Sequence, residues 1–397
     1  MSKTWLQIGF LIAAAIGLFY FSNYKLEGYL RSPATLAKEL KSPPDSVYQY
    51  RLANEAPFKY RLLFSGIVKG SYKLVAPSHD TGLFFQTYRF WSIVFYTFSV
   101  VLMFWLLQVV GFPGIYAFYG ALIFLLLPPM LMAFTLPVHT RDDTLAYAIL
   151  FLGLIALSQE RKMLFLLIAM VGVTARETLL LLPLLYIVFA RDKNPIRKLT
   201  ISGLPVLLWI LIRFIPPSQG YDAGEGLRWN LANLPQVLGF LIIAFNVCWF
   251  SFIAYVGNYR SHISASVGTS LEFFYRSAPF VLAVIVITTF LGGIFNEIRL
   301  LYLACPWMII LFLDFVRNNS DHIKASLRRL WYWLYATGVL IICPIVTVFL
   351  LRHQESILGN SRWMVPYDLW IIVSMGYVAA MLLFAPFMLR RTQRGRG

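Results

Sequence analysis

The 397 residues carry 34 lysines and arginines against 18 aspartates and glutamates, a formal net charge of +16, yet 59% of the chain is hydrophobic and only 13% charged. At a mean hydropathy of +0.69 the apolar content exceeds what one soluble core can bury, which excludes an ordinary globular domain and leaves a polytopic membrane protein. Placement of the positive charge, rather than its sum, then decides whether nucleic acid need be invoked.

The first apolar stretch, WLQIGFLIAAAIGLFYF from Trp5, predicts a helix over 5–22. No small-residue cleavage site follows it, so it reads as a retained transmembrane helix and not a signal peptide. A long loop, 23–89, comes next. Its stretch SPATLAKELKSPPDSVYQYRLANEAPFKYRLLFSGIVKGSYKLV mixes apolar, aromatic and polar residues with no run long enough to span, which suits amphipathic helices lying in the membrane interface. Pro43 and Pro44 break the pattern just before Asp45, so Asp45 opens or caps the next helical piece.

Apolar runs, about 17–25 residues where they match the length that crosses the hydrocarbon of a bilayer, recur to the C-terminus. They predict helices over 90–110, 113–135, 143–158, 162–175, 177–190 and 199–215, then over 236–256, 278–293, 299–316, 330–351 and 368–389. With the first this makes about twelve transmembrane helices in an all-α fold. Residues 1–397 form a single transmembrane domain, with no segment polar enough for a separate soluble one. Cys248, Cys305 and Cys343 lie in apolar runs without CxxC spacing, which indicates core residues and neither a disulfide framework nor a zinc site.

With the N-terminus in the cytoplasm, the segments SQERK, ARDKNPIRK, VRNNSDHIKASLRR and LRRTQRGRG fall on one side and hold 14 lysines and arginines. The opposite side, the first loop aside, has six arginines, at 141, 176, 228, 299, 352 and 362. The positive-inside rule therefore places both termini in the cytoplasm and accounts for most of the basic excess without nucleic acid. No Gly-rich phosphate loop follows a strand, which disfavours an ATP-driven pump or an enzyme using a cytoplasmic nucleotide-sugar.

Acidic residues divide by side. Glu160, Asp192, Asp314 and Asp321 sit beside cytoplasmic basics and read as solvated loop charges. The exterior set, which includes Asp45, Glu55, Asp142, Asp143, Glu177 and Glu297, abuts the apolar runs. In HTRDDTLAYAILFLGLIAL an arginine, Arg141, and two aspartates stand directly against a helix. In VGVTARETLLLLPLLYI the turn between two helices is barely longer than Arg176 and Glu177 themselves, and NEIRLLYLACPWM repeats the arrangement with Glu297 and Arg299. An exposed charge at bilayer depth costs about 2.5–3.5 kcal/mol on the insertion scale, so such residues face a cavity and find partners. One reading makes each pair an interfacial ion pair fixing helix ends. The other brings three helix ends together with the first loop on one charged pocket.

A carboxylate there can take a proton from a hydroxyl nucleophile, arginines can stabilise a phosphate or diphosphate leaving group, and two carboxylates such as Asp142 and Asp143 can hold a divalent metal ion. This suits transfer from a polyprenyl-phosphate sugar that enters from the bilayer. On these motifs the chain resembles the GT-C superfamily of integral membrane glycosyltransferases, which includes protein O-mannosyltransferases and the aminoarabinose transferase of lipid A. In that family a first helix leads to a long exterior loop with interfacial helices and an acidic base; PPDSVYQYRLANEAPFKYRLL is similar to it, with Asp45 the matching acid. TRDDTLAYAILFLGLIALSQERK resembles the second acidic motif, through Asp142 or Asp143. VTARETLLLLPLLYIVFA resembles the next segment, and NEIRLLYLACPWMI the later helix that begins with an arginine facing the lipid phosphate.

The resemblance implies a lipid-linked donor and an acceptor that is lipid, glycan or protein, in a bacterial inner membrane. It assigns Asp45, Asp142 and Asp143 to catalysis. Glu55, Arg141, Arg176, Glu177, Glu297, Arg299, Arg352 and His353 are assigned to substrate binding. A polysaccharide polymerase or ligase using undecaprenyl-linked sugars, with its long exterior loop late in the chain, is the alternative enzyme. A transporter or flippase is the alternative of another class, and it calls for discontinuous helices and an internal repeat.

Overall fold

In hydrocarbon every backbone N–H and C=O must be satisfied within the segment, and runs this apolar and this poor in glycine and proline do so as helices. The protein is described by a computed structural model over residues 3–30, 61–75, 81–127, 143–214, 223–293, 298–353 and 367–389, and no strand occurs among the described residues. The first half holds α1 (Lys3–Leu30), α2 (Leu62–Val75), α3 (Thr81–Val109), α4 (Gly114–Leu126), α5 (Asp143–Ser158), α6 (Lys162–Ala175) and α7 (Leu181–Phe189), the last entered through a 3-10 turn at Glu177–Leu180. Next come α8 (Pro195–Arg213), α9 (Ala223–Ala232), α10 (Leu234–Phe245), α11 (Cys248–Gly257), α12 (Tyr259–Ser266) and α13 (Ser270–Gly292). A second 3-10 turn, Ile298–Ala304, leads into α14 (Cys305–Asn318), followed by α15 (Ser320–Leu327), α16 (Leu330–Arg352) and α17 (Tyr367–Leu389).

Helix is present in each of the twelve predicted segments, 128–135 lying outside the described residues, but among the described residues six helices are long and apolar enough to cross a membrane, or seven if one bent pair counts as a span. Helices such as α5, with 16 residues, rise roughly 24 Å at about 1.5 Å per residue, short of a full hydrocarbon core. Within the predicted first loop, α2 is amphipathic as expected. Phe64 and Val68, four residues apart, are buried, while Leu62, Leu74 and Val75 are exposed. Phe64 packs on Phe95 of α3 with ring centroids 5.9 Å apart, and the Trp91 indole N–H donates to Ser71 Oγ at 2.7 Å.

α3 is the hub of the first half, packed against α1, α2, α4 and α5. α5 and α14 are the central helices: from Asp143 to Ala156 and from Cys305 to Phe315 nearly every side chain is buried. A helix apolar all round belongs inside a bundle, and these two have the bundle around them. Gly153 lets α7 cross α5, since a Cβ there would meet Leu182 Cδ2 at 2.7 Å. α16 and α17 pack on each other with small cores of their own, and α16 leaves most of its apolar surface outward, as a lipid-facing helix does. All three cysteines are buried and free, as the sequence suggests.

Two expectations are corrected. The predicted 236–256 helix is broken at Asn246, whose φ of 44° and ψ of −122° end α10 and turn α11 by 91°. No helix continues through left-handed backbone. The break is braced by the Trp249 indole N–H, which donates to Leu241 O at 3.0 Å. A β-branched residue fits this conformation worst, so Asn246→Val costs about 1–3 kcal/mol and Asn246→Gly is tolerated; unfolding by graded detergent denaturation reads both, and equal tolerance of valine overturns the strained geometry.

The second correction concerns acids taken as solvated. Asp314 is 3% exposed and accepts hydrogen bonds from the Tyr275 hydroxyl, from Arg317 Nη2 at 2.9 Å and from Asn318 Nδ2 at 2.8 Å. Helical spacing accounts for two of these partners, three and four residues on. The Asp192 side chain is likewise covered, by Arg197, Lys162 and the Tyr186 hydroxyl. Hydrogen bonds from Arg197 hold its carboxyl well below the usual carboxylate range. Glu160 and Asp321 are exposed, as expected.

Candidate functional site at the N-terminal end of α5

α5 and α6 are antiparallel neighbours of similar length, 16 and 14 residues. The chain that leaves the bundle end at Asp143 therefore returns to it at Arg176, the single residue between α6 and the 3-10 turn. Its φ of −160° and ψ of 141° are extended, and its N–H still bonds to Gly172 O. Both side chains point inward: Asp143 is 1% and Arg176 4% exposed, and Arg176 Nη1 pairs with Asp143 Oδ1. Two ions removed from water in this way are held by each other, because an isolated buried charge costs several kcal/mol.

The next residue extends the cluster. Glu177 accepts from Arg61 Nη2 at 2.8 Å and from Arg61 Nε at 3.4 Å, a bidentate fork that fixes the start of α2 to the α6–α7 turn. Arg213 Nη2, at the C-terminal end of α8, lies 4.0 Å from the same carboxylate and its guanidinium sits 5.2 Å over the Trp209 ring. Glu177 and Arg213 keep about a quarter of their side chains exposed, at 25% and 26%, whereas Arg61 is nearly covered. Among the described residues three arginines thus meet two carboxylates, with Arg213 and Glu177 at the outer, wetter edge.

Neighbouring elements hold this end in place. Ser99 Oγ of α3 donates to Thr144 O at 2.9 Å, one residue into α5. A turn further along, Tyr147 packs on Tyr302 with ring centroids 4.6 Å apart, and the Tyr302 hydroxyl donates to Phe124 O at 3.0 Å. The 3-10 turn that carries Arg299 in its backbone is thereby docked beside the first turns of α5.

Of the residues singled out in the sequence, Asp143, Arg176 and Glu177 are brought together. Asp45, Glu55, Arg141, Asp142 and Glu297, and the side chain of Arg299, lie outside the described residues. Arg352 and His353 are not part of the cluster: both are exposed at the end of α16, where His353 stacks on Phe349 and its Nδ1 lies 2.9 Å from Phe349 O. Two members were missed in the sequence, Arg61 and Arg213. Arg61 had a signal, since it ends a polar run directly before an amphipathic helix on the side assigned to the acids. Arg213 looked like a helix-end charge and nothing more.

Among the described residues no group of three or more His, Cys, Asp or Glu is placed to hold a metal ion. Asp143, one of the two expected metal ligands, pairs with the Arg176 guanidinium, and the other, Asp142, lies outside the described residues. A cavity lined by described residues lies elsewhere, at the opposite end of α5. No family model matches the chain, and no curated protein or solved structure is significantly similar to it.

Proposed function

We propose that the protein is a membrane glycosyltransferase of GT-C type, taking a sugar from a polyprenyl-phosphate donor on the exterior face. The observation that carries this reading is the cluster of Arg61, Arg176, Arg213, Asp143 and Glu177: ion pairs gathered at one bundle end, with a partly exposed arginine, Arg213, at its outer edge. Such an edge attracts a lipid-borne phosphate, and the interfacial helix α2 brings the first loop to it. In this reading the chain crosses the bilayer about twelve times, with the short helices α4 to α7 completing the bundle and both termini cytoplasmic.

Asp143 is spoken for by Arg176, which leaves its neighbour Asp142, about 100° around the helix end, for chemistry together with Asp45. The acceptor hydroxyl attacks the anomeric carbon, the bond from that carbon to the phosphate oxygen breaks, and the electron pair leaves with the polyprenyl phosphate. The hydroxyl proton passes to the carboxylate of Asp45 or Asp142, and the anomeric centre inverts. Arg61 and Arg213 bear on the departing phosphate, while Asp143 positions Arg176. No step is routed through a metal ion.

A transporter or flippase has one observation in its favour, the 91° break between α10 and α11, since discontinuous helices build substrate sites in transporters. Proteoliposomes separate the two readings. With a radiolabelled polyprenyl-phosphate sugar and an envelope extract as acceptor, label should move to an aqueous or polymeric product, and a nucleotide-sugar should not replace the donor. Accumulation of solute or scrambling of labelled lipid, with no product, overturns the transferase and supports transport.

A further inference from the structure

At the far end of α5, roughly 24 Å from Asp143 at about 1.5 Å per residue, the ends of α5, α6, α7 and α13 surround a cavity of about 120 Å³. Four cations line its wall, Arg161 and Lys162 at the α5–α6 turn, Arg191 just past the end of α7 and Arg276 of α13, against three carboxylates, Glu160, Asp192 and Glu272. Two of the three acids there are already shared. Glu272 serves both Arg191 and Arg276, and Asp192 serves both Lys162 and Arg197. One carboxylate between two cations leaves a net positive charge at each node. Arg161 is exposed and has no ion pair among the described residues.

The floor has the opposite character. Phe165 and Tyr186 stack with centroids 5.1 Å apart, and Phe189 and Phe273 meet edge to face beside them. Between floor and rim, Ser158 Oγ is buried without a hydrogen-bond partner among the described residues. An orphaned buried hydroxyl costs about 1–3 kcal/mol, which a ligand oxygen would recover. Size narrows the ligand. The cavity holds roughly four waters at about 30 Å³ each, well below the 300–1,000 Å³ or so of a pocket that buries a whole drug-sized ligand. It accommodates a phosphate and little else, so any remainder must lie outside. Outside are lipid-facing side chains: Met163, Leu164 and Leu167 on α6, and Ile187 and Val188 on α7, are all exposed.

We propose that this cavity binds the phosphate of an anionic lipid headgroup, with the guanidiniums and Ser158 on the phosphate oxygens and the acyl chains along α6 and α7. Basic pockets between helix ends are suited to such headgroups. The site is separate from the Asp143 cluster, and either assignment can fail without the other.

The test is thermal unfolding of the full-length protein in phosphatidylcholine bicelles, titrated with phosphatidylglycerol and, separately, with inorganic phosphate. Phosphatidylglycerol should raise the midpoint temperature saturably, and Arg161→Gln with Arg276→Gln should move the half-saturating lipid fraction about tenfold through the loss of two charge-assisted contacts. Arg276 also braces Glu272. Should that double variant not fold, Arg161→Gln and Ser158→Ala, which break no pair among the described residues, carry the same comparison with a shift of several-fold. Arg328→Gln with Arg329→Gln, on exposed residues away from the cavity, should change nothing. Absence of a shift in the wild type, equal losses in the Arg328/Arg329 control, or full reproduction of the effect by inorganic phosphate would each overturn the lipid site, the last in favour of a free anion.

Discussion

Arg176→Met should destabilise the protein by about 3–5 kcal/mol, because it removes the guanidinium paired with the Asp143 carboxylate inside the bundle. Asp143 is 1% exposed, so water cannot take the place of the guanidinium. Asp143→Leu alone should cost a similar amount by stranding Arg176. The double variant, Asp143→Leu with Arg176→Met, should recover to within about 1 kcal/mol of the wild type, since apolar residues of similar volume replace a buried pair at little net cost. The non-additivity is the diagnostic quantity. Graded SDS unfolding of the four proteins measures it, and costs that simply add would show that the two side chains do not act as a pair. The recovered double variant should also lack transfer activity under the proposed function, separating what the pair does for folding from what it does for the site.

Helix positions were legible because apolar runs and their basic flanks are written in consecutive residues. Apart from the break within 236–256, the described parts of the predicted segments are helical, and α5 and α6 begin and end where DDTLAYAIL and the SQERK turn place them. Less legible were features fixed by partners far along the chain. The Asn246 break has no proline or glycine to mark it; it exists because surrounding packing holds one residue at positive φ. Asp192 and Asp314 looked like loop charges because burial depends on Arg197, Tyr186 and Tyr275 folding over them. The site was half legible for the same reason. Adjacency in sequence pointed to Arg176 and Glu177, and α5–α6 antiparallel packing explains the pairing with Asp143, but 116 residues separate Arg61 from Glu177 and no local pattern connects them.

The Arg61–Glu177 fork leads to the second large effect. Under the proposed reaction, Asp45→Asn and Asp142→Asn remove a proton acceptor that touches the acceptor hydroxyl, so each should lower kcat by about 10²–10⁴-fold, the usual worth of general base catalysis. Neither should alter SDS unfolding by more than about 0.5 kcal/mol if the side chain serves chemistry and not packing. Arg213→Gln should behave differently. Arg213 is partly exposed at the edge of the cluster, 4.0 Å from Glu177, and its loss weakens attraction for the donor phosphate before and during transfer alike. A uniform loss of that kind raises the donor KM while kcat stays near the wild-type value. Arg61→Gln strips Glu177 of its bidentate partner as well, so both stability and KM should suffer, and Arg61→Lys should restore stability only in part because an ammonium cannot reproduce the fork. Full activity in both aspartate variants would remove the base from the mechanism, and an unchanged donor KM in Arg213→Gln would detach the arginine edge from the phosphate, leaving the cluster as a structural tie between α2, α5 and α8.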